Sequence, residues 1–145
     1  MVDVVTTITV DRPRGKVSAY ASDPANAPEW YVNIDSARWL TEPVLEEGSR
    51  VAFSARFLGR TLSYVYEIVA YNPSERLVMR TAEGPFPMET SYSWADAGPG
   101  ATRMELRNTG QPRGFFRILG PVLELSMRKA NTKDLQNLKR LLESR

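Results

Sequence analysis

The chain has 145 residues, a formal net charge of +2, and neither cysteine nor histidine. These facts exclude disulfide bonds, thiolate sites and histidine-based acid–base or metal chemistry, and we expect no metal or cofactor. The small net charge argues against a nucleic-acid partner. The length fits a single domain over residues 1–145. No apolar run approaches the ~18 residues of a membrane span, and the N-terminus lacks a signal-peptide pattern, so we expect a cytoplasmic protein.

The chain begins with a β-rich run over residues 4–10, which predicts a first strand. Asp11 can cap a short helix that takes Pro13 in its first turn. The pair Asp23-Pro24 repeats this start signal and predicts a second short helix over residues 25–30. The sequence therefore predicts two brief helices directly after one strand.

Alternation of apolar and polar residues dominates from residue 34 onwards and predicts six further strands. Short connections, such as a hairpin at Leu58-Gly59-Arg60, imply an antiparallel meander. Most of these strands have one polar face, so one face of the sheet should contact water. The stiff loop Gly84-Pro85-Phe86-Pro87 is expected to expose its aromatic side chain. The predicted strands are 34–42, 50–57, 61–68, 76–81, 88–94 and 102–108.

A long helix is predicted over residues 121–144, because Pro121 suits a first helical position and no Gly or Pro follows it. Residues on one of its faces recur at spacings of three and four. That face should cover the apolar face of the sheet, which makes the fold class α+β. The stripe consists of Leu123, Met127, Asn131, Leu135, Leu138 and Leu142.

Asn131 is out of character in this apolar stripe, because a buried polar group needs a partner. One interpretation is a core asparagine that bonds a neighbouring strand or a water molecule. The other is that this part of the helix faces a cavity rather than a packed core. The sequence leaves both interpretations open.

The inward face of the predicted sheet is rich in aromatic residues and methionine. It is either a large aromatic core or the wall of a hollow between the sheet and the helix. Tyrosines in a dry core would each need a hydrogen-bond partner, whereas a small-molecule site combines apolar walls with a few polar groups. We expect a cavity of about 300–1,000 Å³, the usual range for ligand sites. The inward residues are Phe53, Phe57, Tyr64, Tyr66, Met79, Tyr92, Trp94 and Met104, with Thr81, Thr90 and Thr102 among them.

An ordered set of short motifs resembles the START-like SRPBCC superfamily, and within it the polyketide cyclase/dehydrase and lipid-transport branch. The resemblance runs over essentially the whole chain, although no single motif is specific. It implies a helix-grip fold, in which a curved seven-stranded antiparallel sheet wraps around the long C-terminal helix and encloses a cavity. It also implies a hydrophobic or aromatic ligand, but no particular chemistry. The motifs are Arg12-Pro13-Arg14, residues 23–30, Phe57-Leu58-Gly59-Arg60, Tyr66-Glu67-Ile68, Asn72-Pro73, Glu83-Gly84-Pro85-Phe86 and residues 134–139.

The sequence thus predicts an intracellular binding or carrier protein for a hydrophobic, ring-containing small molecule, with its oligomeric state left open. The cavity mouth is expected where Leu58-Gly59, Phe86 and Phe115-Phe116 place apolar residues in loops or beside helix breaks. The residues predicted to line the ligand site are Trp30, Phe53, Phe57, Tyr64, Tyr66, Met79, Tyr92, Met104, Met127 and Asn131.

Two alternatives remain at this stage. The first is an aromatase/cyclase/dehydratase-type enzyme, in which Tyr64, Tyr66 or Tyr92 donates a proton or an inward arginine stabilises an enolate. The strand alternation points the candidate arginine, Arg80, outward, which counts against that version. The second is a protein-interaction module, which would need a broad exposed apolar patch.

Overall fold

The computed structural model describes residues 1–145 and contains one seven-stranded sheet and four helices. The helices are α1 (Arg14–Ser22), α2 (Ala27–Trp30), α3 (Phe115–Leu119) and α4 (Pro121–Glu143), with a 3-10 turn over Pro24–Asn26 before α2. The strands are β1 (Val2–Val10), β2 (Ile34–Trp39), β3 (Arg50–Phe57), β4 (Arg60–Asn72), β5 (Arg76–Glu83), β6 (Met88–Asp96) and β7 (Thr102–Gly110).

The sheet is antiparallel throughout, with the strand order β1-β7-β6-β5-β4-β3-β2. The predicted meander from β2 to β7 is confirmed, and β1 pairs with β7 over its whole length. The predicted hairpin is also confirmed, since Leu58 and Gly59 alone join β3 to β4, with φ angles of 52° and 76°. Positive φ at both central residues is the geometry of a type I′ turn.

The sheet curls around α4, and irregular pairing between β4 and β5 helps it to bend. The register between these strands shifts at Val65/Tyr66 and again at Ile68/Ala70. An extra residue in one strand of a pair bends that strand and increases its twist. Lys139 and Arg128 of α4 then reach the first strand, where their side chains donate to the carbonyl oxygens of Thr9 and Val5.

The long helix is confirmed, since α4 begins at Pro121 and its predicted stripe faces the sheet. Met127 is half-buried and the other members of the stripe are buried. Asp134 is buried with them, although the sequence analysis did not include it. No helix of the protein is both long enough and apolar enough to cross a membrane.

Several predicted element boundaries were wrong at the N-terminal side. The first strand begins at Val2 rather than residue 4, and β2 ends at Trp39 rather than residue 42. Asp11 does not cap α1, because the helix begins only at Arg14 and Pro13 occupies the N-cap position. The backbone N–H of Asp11 donates to a carboxylate oxygen of Glu143, at 2.8 Å.

The second predicted short helix, over residues 25–30, is divided in the structure. Asp23 accepts a hydrogen bond from the backbone N–H of Ala25, at 3.0 Å, and so caps a 3-10 turn rather than an α-helix. The α-helix begins after that turn with Ala27 and Pro28. Proline has no N–H to donate and is therefore tolerated only in the first helical turn.

The apolar core is divided into two clusters. The larger lies between the sheet, the short helices and the C-terminal half of α4, where Leu135, Leu138 and Leu142 are buried. The smaller consists of Val2, Val4, Phe86, Phe116 and Leu123. Asn131 lies on α4 between the two groups, at the point where the apolar stripe is interrupted.

Candidate functional site

A cavity of about 140 Å³ lies where the two core clusters separate, between the sheet and α4. Its walls are mostly apolar, and α4 contributes Leu123, Met127, Ala130, Asn131 and Asp134 to them. Eight of the ten predicted site residues line it: Phe53, Phe57, Tyr64, Tyr66, Met79, Tyr92, Met127 and Asn131. The alternation of inward residues along β3, β4, β5 and β6 brings these side chains together.

The structure does not bring Trp30 and Met104 to the cavity, unlike the other eight residues. Both side chains are fully buried in the larger core cluster. Trp30 lies behind the wall, with its ring centroid 4.0 Å from that of Tyr31 and 5.8 Å from that of Tyr92. Met104 faces inward as predicted, but strand alternation specifies only the face of the sheet and not the position of a hollow along it.

The cavity is smaller than the predicted range. An engineered protein cavity of roughly 150 Å³ is large enough to bind benzene. A volume of about 140 Å³ therefore accommodates one aromatic ring rather than a fused polycycle. The reason for the difference is that large rings fill much of the space, as in the pair Phe53 and Tyr64, whose centroids lie 5.3 Å apart at 19°.

Asn131 faces this cavity, and the interpretation of a hydrogen-bonded core asparagine is not supported. Its side chain lines the cavity and is 7% exposed. The Nδ2 atom is buried and has no hydrogen-bond partner. A buried donor without a partner loses the hydrogen bonds it makes to water in the unfolded chain, which costs about 1–3 kcal/mol.

Asp134 is the functional candidate that sequence reasoning missed. It lies three residues after Asn131 on the same helix face, lines the cavity, and is 3% exposed. Its Oδ1 atom accepts a hydrogen bond from the backbone N–H of Val32, at 2.9 Å. Burial raises the pKa of the carboxyl from 3.8 to about 6, while the Val32 hydrogen bond and the charge of Lys133 act in the opposite direction. The available signal was its spacing of three from Asn131 and four from Leu138.

Comparison with known proteins agrees with this architecture. The family model described as polyketide cyclase/dehydrase and lipid transport matches residues 1–143. The chain belongs to this family. The resemblance drawn from short motifs is thereby confirmed, and the match leaves out only the last two residues. No curated protein sequence matches the chain.

Solved structures of the same helix-grip architecture cover nearly the whole chain at low identity. A START superfamily protein from Mycobacterium smegmatis has a TM-score of 0.85 and 15% identity, covering 98% of this chain and 97% of its own. The Zhui aromatase/cyclase from Streptomyces sp. R1128 has a TM-score of 0.81 and 16% identity, covering 97% and 93%. The ginseng major latex-like protein 151 from Panax ginseng has a TM-score of 0.74 and 12% identity, covering 95% of each chain. At these identities the likeness establishes the fold alone.

Within this family architecture, three of the four tyrosines that line the cavity form two separate hydrogen-bonded groups. The hydroxyls of Tyr31 and Tyr92 lie 2.6 Å apart. The Tyr66 hydroxyl lies 2.8 Å from the Thr90 hydroxyl, which donates to Oδ1 of Asn108 at 2.7 Å. Burial raises the pKa of Tyr66 to about 12 and raises the pKa of Tyr31 and Tyr92 above their usual range. These phenols therefore stay protonated at neutral pH.

The mouth of the cavity lies beside Arg56, which lines the cavity while its side chain is 69% exposed. The expected exposure of Phe86 was wrong, because Phe116 of α3 covers it with a centroid distance of 5.2 Å. Arg60 lies over the ring of Phe115 at 3.8 Å and so connects the β3–β4 hairpin to α3. The three segments predicted to form a rim are thus close to one another, although their aromatic residues are packed inward.

Ligand binding should slow amide hydrogen exchange together in residues 57–60, 83–88 and 114–117. These segments contact one another through Phe86, Phe116 and Arg60, so stabilising one should stabilise all of them. Exchange followed by mass spectrometry, with and without saturating p-cresol, measures this effect. Unchanged exchange in all three segments would show that they do not act as a gate.

Proposed function

We propose that this protein binds a small hydrophobic molecule containing one aromatic ring, in the cavity between its sheet and α4. The observation that carries this proposal is the cavity itself, with mostly apolar walls and a few polar groups aimed into it. This combination is typical of small-molecule sites. Membership of the polyketide cyclase/dehydrase and lipid-transport family supports a hydrophobic ligand.

The residues proposed to hold the ring belong to both walls of the cavity. Phe53, Tyr64 and Met79 form the sheet side, and Met127 forms the helix side. Aromatic rings prefer offset-stacked or edge-on contacts with one another, which these rings can provide. Asn131, with its unpartnered amide, would orient a polar substituent of the ligand.

A neutral one-ring probe tests the proposal. We expect p-cresol to bind saturably and to shift the NMR signals of residues that line the cavity. Ala130→Leu should weaken binding by roughly tenfold or more, equivalent to ~1.4 kcal/mol, because a branched side chain at this lining position would occupy the space of the ring. Thr132→Leu is the matched control, since Thr132 is exposed on the same helix. Equal binding by both variants would contradict the proposal.

An enzyme of the cyclase/dehydratase type is the second candidate, and one observation favours it. Asp134 places in the cavity a carboxyl group whose pKa, about 6, is close to physiological pH. General acids work best when their pKa lies near the working pH. Such an enzyme would dehydrate a bound β-hydroxy ketone, and Asp134→Asn would abolish product formation. Binding without any product would favour the carrier.

The two catalytic schemes suggested by the sequence, a tyrosine proton donor and an inward arginine, have less support. The raised pKa values of the tyrosines make them poor proton donors near neutral pH. Arg80 points outward, as strand alternation predicted, and its guanidinium lies 3.2 Å from a carboxylate oxygen of Glu89 on the exposed face. A volume of about 140 Å³ is also small for a polyketide chain.

A protein-interaction module is the least supported reading. Ile118, Val122 and Leu125 are exposed near the junction of α3 and α4. Glu124 lies between Val122 and Leu125 in the sequence and Arg117 directly precedes Ile118, so charged groups interrupt and flank this surface. A narrow, interrupted patch of this kind is common on monomeric proteins.

A further inference from the structure

Asp134 is a buried carboxylate that no basic group of the protein neutralises. Its only hydrogen bond is the one from the Val32 backbone, and it takes part in no ion pair. Lys133 precedes it on α4 but is exposed. Buried charges in proteins are normally paired or hydrogen-bonded, because removing an ion from water costs several kcal/mol. The second carboxylate oxygen makes no hydrogen bond within the chain and is not among its fully enclosed unpartnered atoms, so a partner in the cavity can reach it.

The groups that face Asp134 from other elements do not provide that partner. Tyr31, Tyr64 and Tyr92 lie near enough for the Asp134 charge to contribute to their raised pKa values. They are neutral phenols. Arg56 is the one basic side chain that lines the cavity, and it is exposed and paired with Asp35 at 3.1 Å.

We propose that the ligand of this cavity is a protonated amine with one aromatic ring, whose ammonium group pairs with the free oxygen of Asp134. This proposal rests on the proposed function and specifies the class of ligand. The ring would lie between Phe53, Tyr64 and Met127, in the apolar part of the cavity. An ammonium group also gains from nearby aromatic faces, by about 0.5–2 kcal/mol. Neighbouring rings thus add to the pairing with the carboxylate.

Asn131 provides a second, independent indication of a polar ligand group at this end of the cavity. It lies one helical turn from Asp134, it is 93% buried, and its amide nitrogen has no partner. Together the two side chains offer one acceptor that carries charge and one donor, both on the same face of α4. A ligand that carries an ammonium group and a nearby hydrogen-bond acceptor would satisfy both.

Matched one-ring compounds test the charge directly. The probes are 2-phenylethylamine, which is protonated at pH 7.5, its neutral counterpart 2-phenylethanol, and the anion phenylacetate. Dissociation constants are measured by NMR titration at low ionic strength. We expect the wild-type protein to prefer the amine over the alcohol by roughly tenfold to a hundredfold, the range given by ~1.5–3 kcal/mol for a hydrogen bond to a charged group. The anion should bind more weakly than either.

Two variants locate the preference. In Asp134→Asn the preference for the amine should disappear, because the amide keeps the shape of the side chain but not its charge. Glu47→Gln removes the same charge from an exposed loop position and should leave the preference intact. If the amine and the alcohol bind the wild-type protein equally, or if Asp134→Asn keeps the preference, the proposal is overturned while the ring-binding function stands. If p-cresol and all three of these probes fail to bind, the proposed function itself is overturned.

Discussion

Asp134→Asn should stabilise the ligand-free protein at pH 8 and leave its stability nearly unchanged near pH 4. The carboxyl is buried in the cavity wall, and burial raises its folded-state pKa from 3.8 to about 6. A raised pKa means that folding favours the protonated form. The contribution to stability is therefore fully present below pH 3.8 and is lost as the pH rises through about 6.

The size of the loss follows from the shift in pKa. One pKa unit corresponds to ~1.4 kcal/mol, so the ionised side chain lowers the free energy of unfolding above pH 6 by roughly 3 kcal/mol. Asparagine removes this penalty. It also accepts a weaker hydrogen bond from Val32, which lowers the free energy of unfolding by ~1 kcal/mol. We expect a net gain of about 2 kcal/mol at pH 8. This corresponds to a rise in melting temperature of roughly 4–8 °C for a chain of this length.

Thermal unfolding of both proteins between pH 4 and pH 8, followed by circular dichroism, measures the difference. Other carboxylates also titrate, but they act on both proteins alike, so the difference isolates Asp134. Glu47→Gln serves as the exposed control and should show no such pH-dependent gain. A variant that is less stable than wild type at pH 8, or a gain independent of pH, would contradict this account. The carboxylates with lowered pKa values that cancel in the comparison are Asp3, Glu29 and Glu143.

If removing the charge of Asp134 stabilises the folded protein, the carboxylate is unfavourable for folding, and its presence in the cavity is better explained by ligand binding. Residues that bind ligands are often kept at the expense of stability. The ligand-free protein retains a charge that it cannot neutralise, and a cationic ligand would neutralise it. Stability and amine binding should therefore change in opposite directions in Asp134→Asn.

Local sequence patterns were sufficient to predict most of the strands, the antiparallel meander and the long helix α4. Residues close in sequence determine the alternation in β3 and β6, the turn at Leu58-Gly59 and the helical spacing of the stripe of α4. Element boundaries were less predictable. Asp11 was a good cap candidate, but α1 begins at Arg14, so Pro13 takes the N-cap position. Asp11 instead bonds Glu143 through its backbone N–H, and no local rule includes a partner more than a hundred residues away.

The position of the cavity depended on packing between distant segments. Strand alternation placed Met104 and Met79 on the same face, yet only Met79 meets the hollow. Phe86 was expected to be exposed because its loop contains Gly and Pro, but Phe116 arrives from α3 to cover it. The volume depended on how closely aromatic rings from different strands pack, which residue types alone do not determine.

The two polar residues of α4 show the same contrast. Asn131 was recognisable because an amide interrupts an apolar stripe. Asp134 was not, because charged residues on a helix are almost always at the surface, and its position at the margin of the stripe fits a solvent-exposed role equally well. Its burial depends on the tertiary fold, in which Val32, from the segment after α2, lies beside it and donates a hydrogen bond to it.

Asn131→Leu should keep or raise the stability of the ligand-free protein, by up to about 1–2 kcal/mol. The Nδ2 atom has no partner, so its removal breaks no hydrogen bond and ends a desolvation penalty. Leucine has a comparable length and would extend the apolar wall. Affinity for 2-phenylethanol should fall instead, because a polar group that orients the hydroxyl is lost. Chemical denaturation and NMR titration measure the two effects separately.

The same substitution elsewhere in the cavity should have the opposite effect on stability. Asn108→Leu is the matched control, because Oδ1 of Asn108 accepts a hydrogen bond from Thr90 at 2.7 Å. Leucine there would leave the Thr90 hydroxyl without this acceptor, at a cost of about 1–3 kcal/mol. A large loss of stability in Asn131→Leu, with unchanged affinity for 2-phenylethanol, would show that Asn131 has a structural role and does not bind the ligand. Opposite signs for the two variants would show that an asparagine in this cavity wall stabilises the fold only where a strand residue pairs with it.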